Sequence, residues 1–498
     1  MSLSSAVDAS AVARVVGIKT TFKDLRAGGI LFLPQRLALI GQGSTASTYS
    51  LLKFQITSAS QAGNRYGFGS PIHLAARQLL PVNGDGVGTI PVTVYPLEDD
   101  SEGVAATGDI TPTADQSTAG AYTVVVNNIR SEQFVISVGD TVAGIVASIT
   151  AAINAVLEMP IVATDGTTEV TLAAKWRGTS SNSIFIRIEA PEVGAASIAV
   201  SQLEGGLVNP SVQPALDQVG NVWETLALNC LDIGDATALD AYNTFGEGRW
   251  GALVRKPLFV FTGNTALSVA DAIAVPEARK TQRVNGQFVA PGSKDLPFVV
   301  AARQIARVIV VANNNPPRDY GSQQATGLTP GTDGQQWTYP QRDQAVKGGS
   351  STIEVRDGVV NVSDTVTFFH PTGDPIPAYR YLCDGIKLQN ILFNLDLIFK
   401  NPKWDGAPLI PDNQPTTNRD AKQPKMAVAA AAAMVDSLAL NAIISDPETA
   451  KESIQAGINA MNPKRLDLTL TVQLSGNSNI ISVDLDFGFY FGVQPLVA

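Results

Sequence analysis

The 498-residue sequence holds only two cysteines and two histidines, and Asp, Glu, Lys and Arg together make up 16% of it. Cys230 and Cys383 lie far apart and form no CxxC pair, so no disulfide framework is implied. They read as small buried hydrophobes of a chain made in a reducing compartment. Neither His73 nor His370 stands near cysteines or carboxylates at metal-ligand spacing, and no metal site is expected. A Ser-His-Asp arrangement would have to use one of these two imidazoles, yet no G-x-S-x-G elbow presents a nucleophile. His370 precedes Pro371 in a turn and reads as structural. Charged residues usually make up about a quarter of a soluble chain, so their scarcity points to surface intended for other subunits. The net charge of −10 argues against a general nucleic-acid binder, whose phosphate-facing surface needs excess Lys and Arg. No Asp or Glu occurs between Leu25 and Gly84, and the first 84 residues carry +6 against −16 for the remainder. These charges either attract neighbouring subunits or are scattered over a solvated surface.

Long apolar runs are missing too. Residues 426–435 (MAVAAAAAMV) span about half a bilayer and are followed by Asp436, so a buried helix is expected and no membrane insertion. The amino terminus has no charged start followed by an apolar stretch, so it is no secretory signal, and synthesis and assembly should be cytoplasmic.

The glycine runs that are present do not make a nucleotide site. Gly41-Gln42-Gly43-Ser44-Thr45 follows a strand signal, as a phosphate loop should, but it has no P-loop lysine and no acidic residue about 20 positions on. Gly84-Asp85-Gly86-Val87-Gly88 precedes a strand instead of following one. Both read as turns, and no cofactor is expected. The carboxylate pairs Asp99-Asp100 and Asp484 with Asp486 mark no cleft, and the aromatics lie mainly in apolar strands and helices, away from basic residues. No catalytic residue can be assigned, and the chain is read as non-enzymatic.

A chain of this length should hold two or more domains. The first ~30 residues read as a flexible arm. A strand over residues 37–40, a helix over 72–80 and a strand over 89–97 give an α/β order. Residues 98–115 turn acidic and rich in Gly and Thr, which marks a boundary. A mostly β insert follows, with strands at 121–129, 134–138, 169–176, 184–189 and 196–203 and one helix capped by Asp140 or Thr141. That helix has Val142, Ile145, Val146, Ile149, Ile153 and Val156 on one face. Asn209-Pro210 ends the insert. The α/β pattern then resumes with strands at 222–233, 256–263 and 306–315 and a helix over 236–246, whose apolar strands favour a mostly parallel sheet covered on both faces. Residues 316–350 read as a long surface loop, and 351–369 as a hairpin around Asp357-Gly358. Helices are expected over 378–400, 426–444 and 447–459. A strand at 466–474 alternates strictly. The last segment places Ile481, Val483, Leu485, Phe487, Phe489 and Phe491 on one face. This terminal strand either closes a hairpin in its own domain or reaches a neighbour's sheet by strand addition.

Five stretches resemble the Mu-like contractile tail sheath proteins of phages: residues 29–43 (GILFLPQRLALIGQG), 66–97, 219–250, 349–381 and 462–492. They are long and collinear, and the resemblance covers nearly the whole chain and is densest outside the insert. The resemblance implies an α/β fold: a discontinuous mixed α/β core domain in two parts, 29–105 and 209–479, with an inserted β-rich (α+β) outer domain at 106–208. Extended arms would occupy 1–28 and 480–498. It further implies a homo-oligomer of stacked sixfold rings forming a helical sheath in the virion tail. Its partners would be the tail tube, baseplate and tail terminator proteins. Arms from both chain ends would add strands to sheets of adjacent subunits. The family contacts its tube through polar and charged residues of the inner domain. Here Lys451 and Glu452 on the 447–459 helix, with Lys464 and Arg465, are the candidates, although an exposed helix end accounts for these charges equally well. A capsid or surface-lattice protein is the alternative structural reading.

Overall fold

The computed structural model describes residues 31–113, 119–191, 198–374 and 377–488. Of these, 32–393 with 474–488 form one compact unit, and 31 with 394–473 form another. Phe489 and Phe491 lie outside the described residues, as does the predicted arm at 1–28.

The first unit begins with β1 (Leu37–Gln42), β2 (Phe54–Ile56), helices α1 (Ala59–Tyr66) and α2 (Pro71–Leu79), and β3 (Val92–Leu97). Ser58 and Ser70 start the two helices, each accepting a bond from a backbone N–H three residues on.

The insert contributes β4 (Thr107–Pro112), β5 (Gly120–Val126), β6 (Ile129–Arg130), β7 (Phe134–Ile136), α3 (Val142–Asn154), β8 (Ile161–Asp165), β9 (Val170–Ala174), β10 (Ile186–Glu189) and β11 (Ile198–Glu204). Thr141 caps α3, whose face of Ile145, Val146, Ile149, Ala152 and Ile153 is buried against strands of two small sheets. The residues read as a boundary contain β4, a strand without an apolar run, held by pairing with β9 and β11. β8 was likewise not predicted.

The core resumes with α4 (Gln213–Val219), β12 (Leu226–Asn229), α5 (Ala236–Trp250), β13 (Phe259–Asn264), α6 (Val269–Ala278), β14 (Asn285–Val289), α7 (Pro297–Asn314), α8 (Tyr339–Lys347), β15 (Thr352–Arg356), β16 (Val359–Asp364) and α9 (Leu382–Phe399). The main sheet runs β14-β13-β12-β1-β3-β2, parallel except for the edge strand β2. Its continuously apolar strands are explained by cover on both faces. Leu37, Leu39, Val92, Val94, Leu226, Leu228 and Phe261 pack in one buried cluster with α2 and α7, while Ala38, Ile40, Ala227 and Val260 pack in a second with α4 and α5.

Two expectations are corrected here. Residues 306–315 are the second half of α7, a helix that starts at Pro297 and buries Val308, Ile309 and Ala312. Burial on one face overrides the strand preference of its β-branched run. Residues 316–350 are not one long loop, because α8 lies within them, opened by a reciprocal capping box of Thr338 and Gln341.

The second unit holds α10 (Pro424–Leu440), β17 (Ile444–Ser445), α11 (Pro447–Glu452), β18 (Gln455–Ile458) and β19 (Leu466–Thr469). The predicted helix over 447–459 ends at Glu452, since Gln455–Ile458 instead pairs antiparallel with Leu466–Thr469. The predicted strand over 466–474 is broken into β19 and β20 (Gln473–Leu474).

Candidate functional site

In an open parallel sheet a ligand crevice is expected beyond the carboxyl ends of the strands where the strand order reverses, which here is between β1 and β12. The chain fills that place itself. Gln42 Nε2 donates to Asp99 Oδ1 at 2.6 Å and to the Arg177 carbonyl at 2.7 Å, while the Thr45 backbone N–H donates to the Lys175 carbonyl. Arg177 and Lys175 both come from the insert. The glycines serve close packing. A Cβ on Gly43 would stand 2.3 Å from the Tyr49 ring, and one on Gly41 would stand 2.9 Å from Cys230 Cβ. Tyr49 is pinned here, accepting from the Gly43 N–H and donating to the Leu97 carbonyl. Burial and nearby Asp99 and Glu98 push its hydroxyl up to about 12, although the Gly43 bond opposes the shift.

The other candidate groups are also engaged structurally. Burial pushes the Cys230 and Cys383 thiols well up, away from the nucleophilic thiolate. His73 accepts from the Gly69 N–H, and burial, then the charges of Arg77 and Lys175, lower it from 6.5 to about 4. His370 Nδ1 lies 2.7 Å from the Phe368 carbonyl. Asp85, in the second glycine run, binds Arg303 and Arg307 of α7; partial burial is outweighed by these bonds and charges, which hold its carboxyl down. Among the described residues no group of three or more His, Cys, Asp or Glu could hold a metal ion, and no helix is long and apolar enough to cross a membrane.

The geometry of the carboxy-terminal segment is more distinctive. Its root is tied to the first unit by Lys387, whose side chain is fully buried on α9. The ammonium donates to Asp384 Oδ1 at 3.0 Å, to the Ser475 carbonyl at 2.6 Å and to Asn477 Oδ1 at 2.7 Å. Asn477 Nδ2 in turn donates to the Pro317 carbonyl at 2.8 Å. Beneath this root, burial pushes the Asp319 carboxyl up and nearby Asp364 adds to the shift, against bonds from Tyr320, Cys383 and Asn479. Residues 477–480 then border a cleft of about 540 Å³ whose walls mix Arg318, Arg342 and Arg356 with Asp319, Glu354 and Asp364.

Past the root the chemistry changes. Ile480, Ile481, Val483, Leu485 and Phe487 are 77–83% exposed, and residues 475–488 belong to no sheet of the described residues. Four predicted arm-strand residues, Ile481, Val483, Leu485 and Phe487, thus stand on a solvent-facing segment.

The predicted tube-contact residues all fall in the second unit. Lys451, on α11, lies 3.0 Å from Asp436 and 2.7 Å from Glu448, while Glu452 is exposed at the end of the same helix. Lys464 and Arg465 occupy the turn between β18 and β19, and Arg465 Nε reaches Asp467 at 2.5 Å. Lys387 and Asn477 were not singled out from the sequence. Their relation spans 90 positions, and the only local signal was the turn-like SGNSN.

No family model matches the sequence. Over 338 residues the chain is 23% identical to the Mu-like prophage FluMu tail sheath protein of Haemophilus influenzae, covering 66% of this chain and 67% of that relative. Among solved structures it is similar to the sheath tail protein Lin1278 from Listeria innocua, at 14% identity and TM-score 0.48, covering 91% of this chain and 94% of that one. It is also similar to a chain of the anti-feeding prophage baseplate in its contracted state, at 10% identity and TM-score 0.49, covering 95% and 99%. A third likeness is to the contracted sheath complex of an extracellular contractile injection system, at 8% identity and TM-score 0.47, covering 96% and 98%.

Proposed function

We propose, from its resemblance to the Mu-like tail sheath proteins, that this chain is a non-catalytic structural subunit of a contractile tail sheath. The observation that carries the reading is the 338-residue match to a curated tail sheath protein. The exposed apolar segment rooted on Lys387 supports it, because alternating apolar side chains that face solvent outside every sheet of the described residues are suited to adding to another sheet. In this reading the subunits stack as sixfold rings around a tail tube, joined to baseplate and terminator proteins. The arms at 1–28 and 480–498 link neighbours. The split core at 29–105 and 209–479 carries the lattice, and the insert at 106–208 faces outward. Lys451, Glu452, Lys464 and Arg465 face the tube, where charged contacts are breakable in water. Assembly takes place in the host cytoplasm and the product resides in the virion tail. Contraction needs no nucleotide, since work is available when the extended lattice is metastable relative to the contracted one.

Electron microscopy of the purified protein in negative stain tests the reading. Helical tubes are expected, whereas closed shells or flat sheets would replace the sheath with a capsid or surface lattice. Removing residues 480–498 should abolish long tubes; if truncated subunits still build them, the segment is no intersubunit arm.

A further inference from the structure

The proposed polymer requires contacts between subunit bodies as well as arms, and one pair of surfaces in the first unit, an acidic apolar cleft and an exposed apolar loop with cations at its base, carries opposite charge. At the amino end of α5 lies a cleft of about 590 Å³, whose apolar lining includes Val208, Pro210, Val212 and Ala238. Asp100, Asp232 and Asp235 line it too. The carboxylates of Asp232 and Asp235 bond to neutral donors, namely Thr179, Asn209 and backbone amides. Among the described residues none of the three forms an ion pair, so the cleft is apolar with an acidic lining. Val208, at its edge, is a β-branched residue at φ 55°, a costly conformation that leaves its side chain half-exposed.

At the other end of α5 the chain forms a tight loop. Gly251 caps the helix, the Val254 and Arg255 N–H groups both donate to the Gly251 carbonyl at 2.9 Å, and the Lys256 N–H donates to the Arg249 carbonyl at 2.9 Å. This holds Leu253 outward at 91% exposure, with Val254 beside it and the cations Arg255 and Lys256 at its base. A single exposed leucine is ordinary on a protein surface. This one is distinguished by its rigid presentation and by the opposite charge of the cleft.

We propose that the cleft at the amino end of α5 receives the Leu253 loop of a second copy of this chain. Leu253 meets the apolar lining, and Arg255 and Lys256 approach Asp100, Asp232 and Asp235. Loop and cleft sit at opposite ends of one 15-residue helix, about 22 Å apart, so a chain cannot satisfy the contact with itself. In the proposed contact each copy gives its loop to one neighbour and takes the loop of another in its cleft, a heterologous arrangement that propagates from copy to copy and suits a ring or a helical polymer, whereas reciprocal pairing would stop at a twofold dimer and give no ladder. The inference rests on the reading that the chain polymerises and adds a body-to-body contact independent of the arms.

Cysteine cross-linking in the full-length chain tests it. Leu253→Cys and Thr237→Cys place thiols on the loop and on the cleft wall, and the native cysteines are buried. After mild copper–phenanthroline oxidation in air, the double variant should give a ladder of disulfide-linked multimers. Each single variant alone should stay uncoupled, and an equal mixture of the two should stop at dimers. Leu253→Asp should raise the concentration needed for assembly about tenfold or more, since an apolar anchor is lost. If the protein sediments as polymer but the double variant forms no ladder, this contact is wrong while the polymer reading stands. If it stays monomeric at every concentration and forms no ladder, the polymer reading fails and the contact fails with it.

Discussion

Lys387→Met isolates the chemistry that fixes the root of the carboxy-terminal segment. Methionine keeps most of the length and apolar volume of lysine but cannot donate. Two of the three bonds made by the buried ammonium go to the root, at the Ser475 carbonyl and Asn477 Oδ1, and the third goes to Asp384. A hydrogen bond from a charged donor contributes about 1.5–3 kcal/mol. The two root bonds are not additive, so attachment of the root should weaken by about 3 kcal/mol, roughly 150-fold in its open-to-closed ratio. Global stability should fall less, because removing a buried charge also removes its desolvation cost, and half-exposed Asp384 regains water.

Hydrogen exchange read by mass spectrometry separates the two effects. Peptides covering 474–480 should lose about two orders of magnitude of protection while those from β12 and β13 change little. Asn477→Ala removes the same acceptor and the bond to the Pro317 carbonyl. The two substitutions should therefore be strongly non-additive in a double-mutant cycle. Additivity within about 0.5 kcal/mol, or unchanged protection of 474–480 in a folded Lys387→Met protein, would refute the anchoring role.

Stability should also depend on pH through His73. Its folded value is lowered to about 4 from 6.5, so the unfolded chain takes up a proton first as the pH falls. The stabilisation is complete above pH 6.5, declines between 6.5 and 4, and amounts to about 3 kcal/mol. Urea titrations of the wild type and His73→Asn across that window should differ in slope by about one proton; parallel curves would show that His73 titrates normally. Gly263→Ala should destabilise the first unit by about 3 kcal/mol or more by calorimetry, because a Cβ there would lie 1.6 Å from the Pro297 carbonyl oxygen and force α7 off β13.

What could be read from the sequence were features with a local cause. Continuous apolar runs located β1, β3, β12 and β13, and Asp357-Gly358 located its hairpin, where both residues take positive φ of 51° and 75°. The α3 stripe and Thr141 cap were equally local. Errors arose where tertiary context decides. The run at 306–315 is helical because its burial pattern begins at Phe298, outside the segment read as a strand. The capping box at Thr338 and Gln341 was a usable signal for α8 that composition obscured. The root of the terminal segment could not be read at all, because Lys387 is one lysine on an apolar helix until Ser475 and Asn477 are folded against it.

The insert poses a sharper question, since a domain proposed to face outward could in principle be removed. Its two ends adjoin, with Val104 and Leu207 bridged antiparallel, so a short linker could replace residues 106–206 without straining the backbone. The packing opposes that. Insert residues such as Tyr122, Ile149, Leu172 and Trp176 share one buried cluster with Leu39, Val94 and Phe298, and the Trp176 ring meets Phe298 edge-on at 6.1 Å. Excision would also remove Arg177 from Gln42 and Lys175 from Thr45 at the point where the strand order reverses. Losing a buried Trp contact alone costs about 3–5 kcal/mol, a large part of the stability of an ordinary domain. The excised chain should therefore lose its cooperative thermal transition and bind a hydrophobic dye. A melting temperature within a few degrees of the full-length chain would mean that the insert is an appendage and that the sheet needs nothing to close its carboxyl edge.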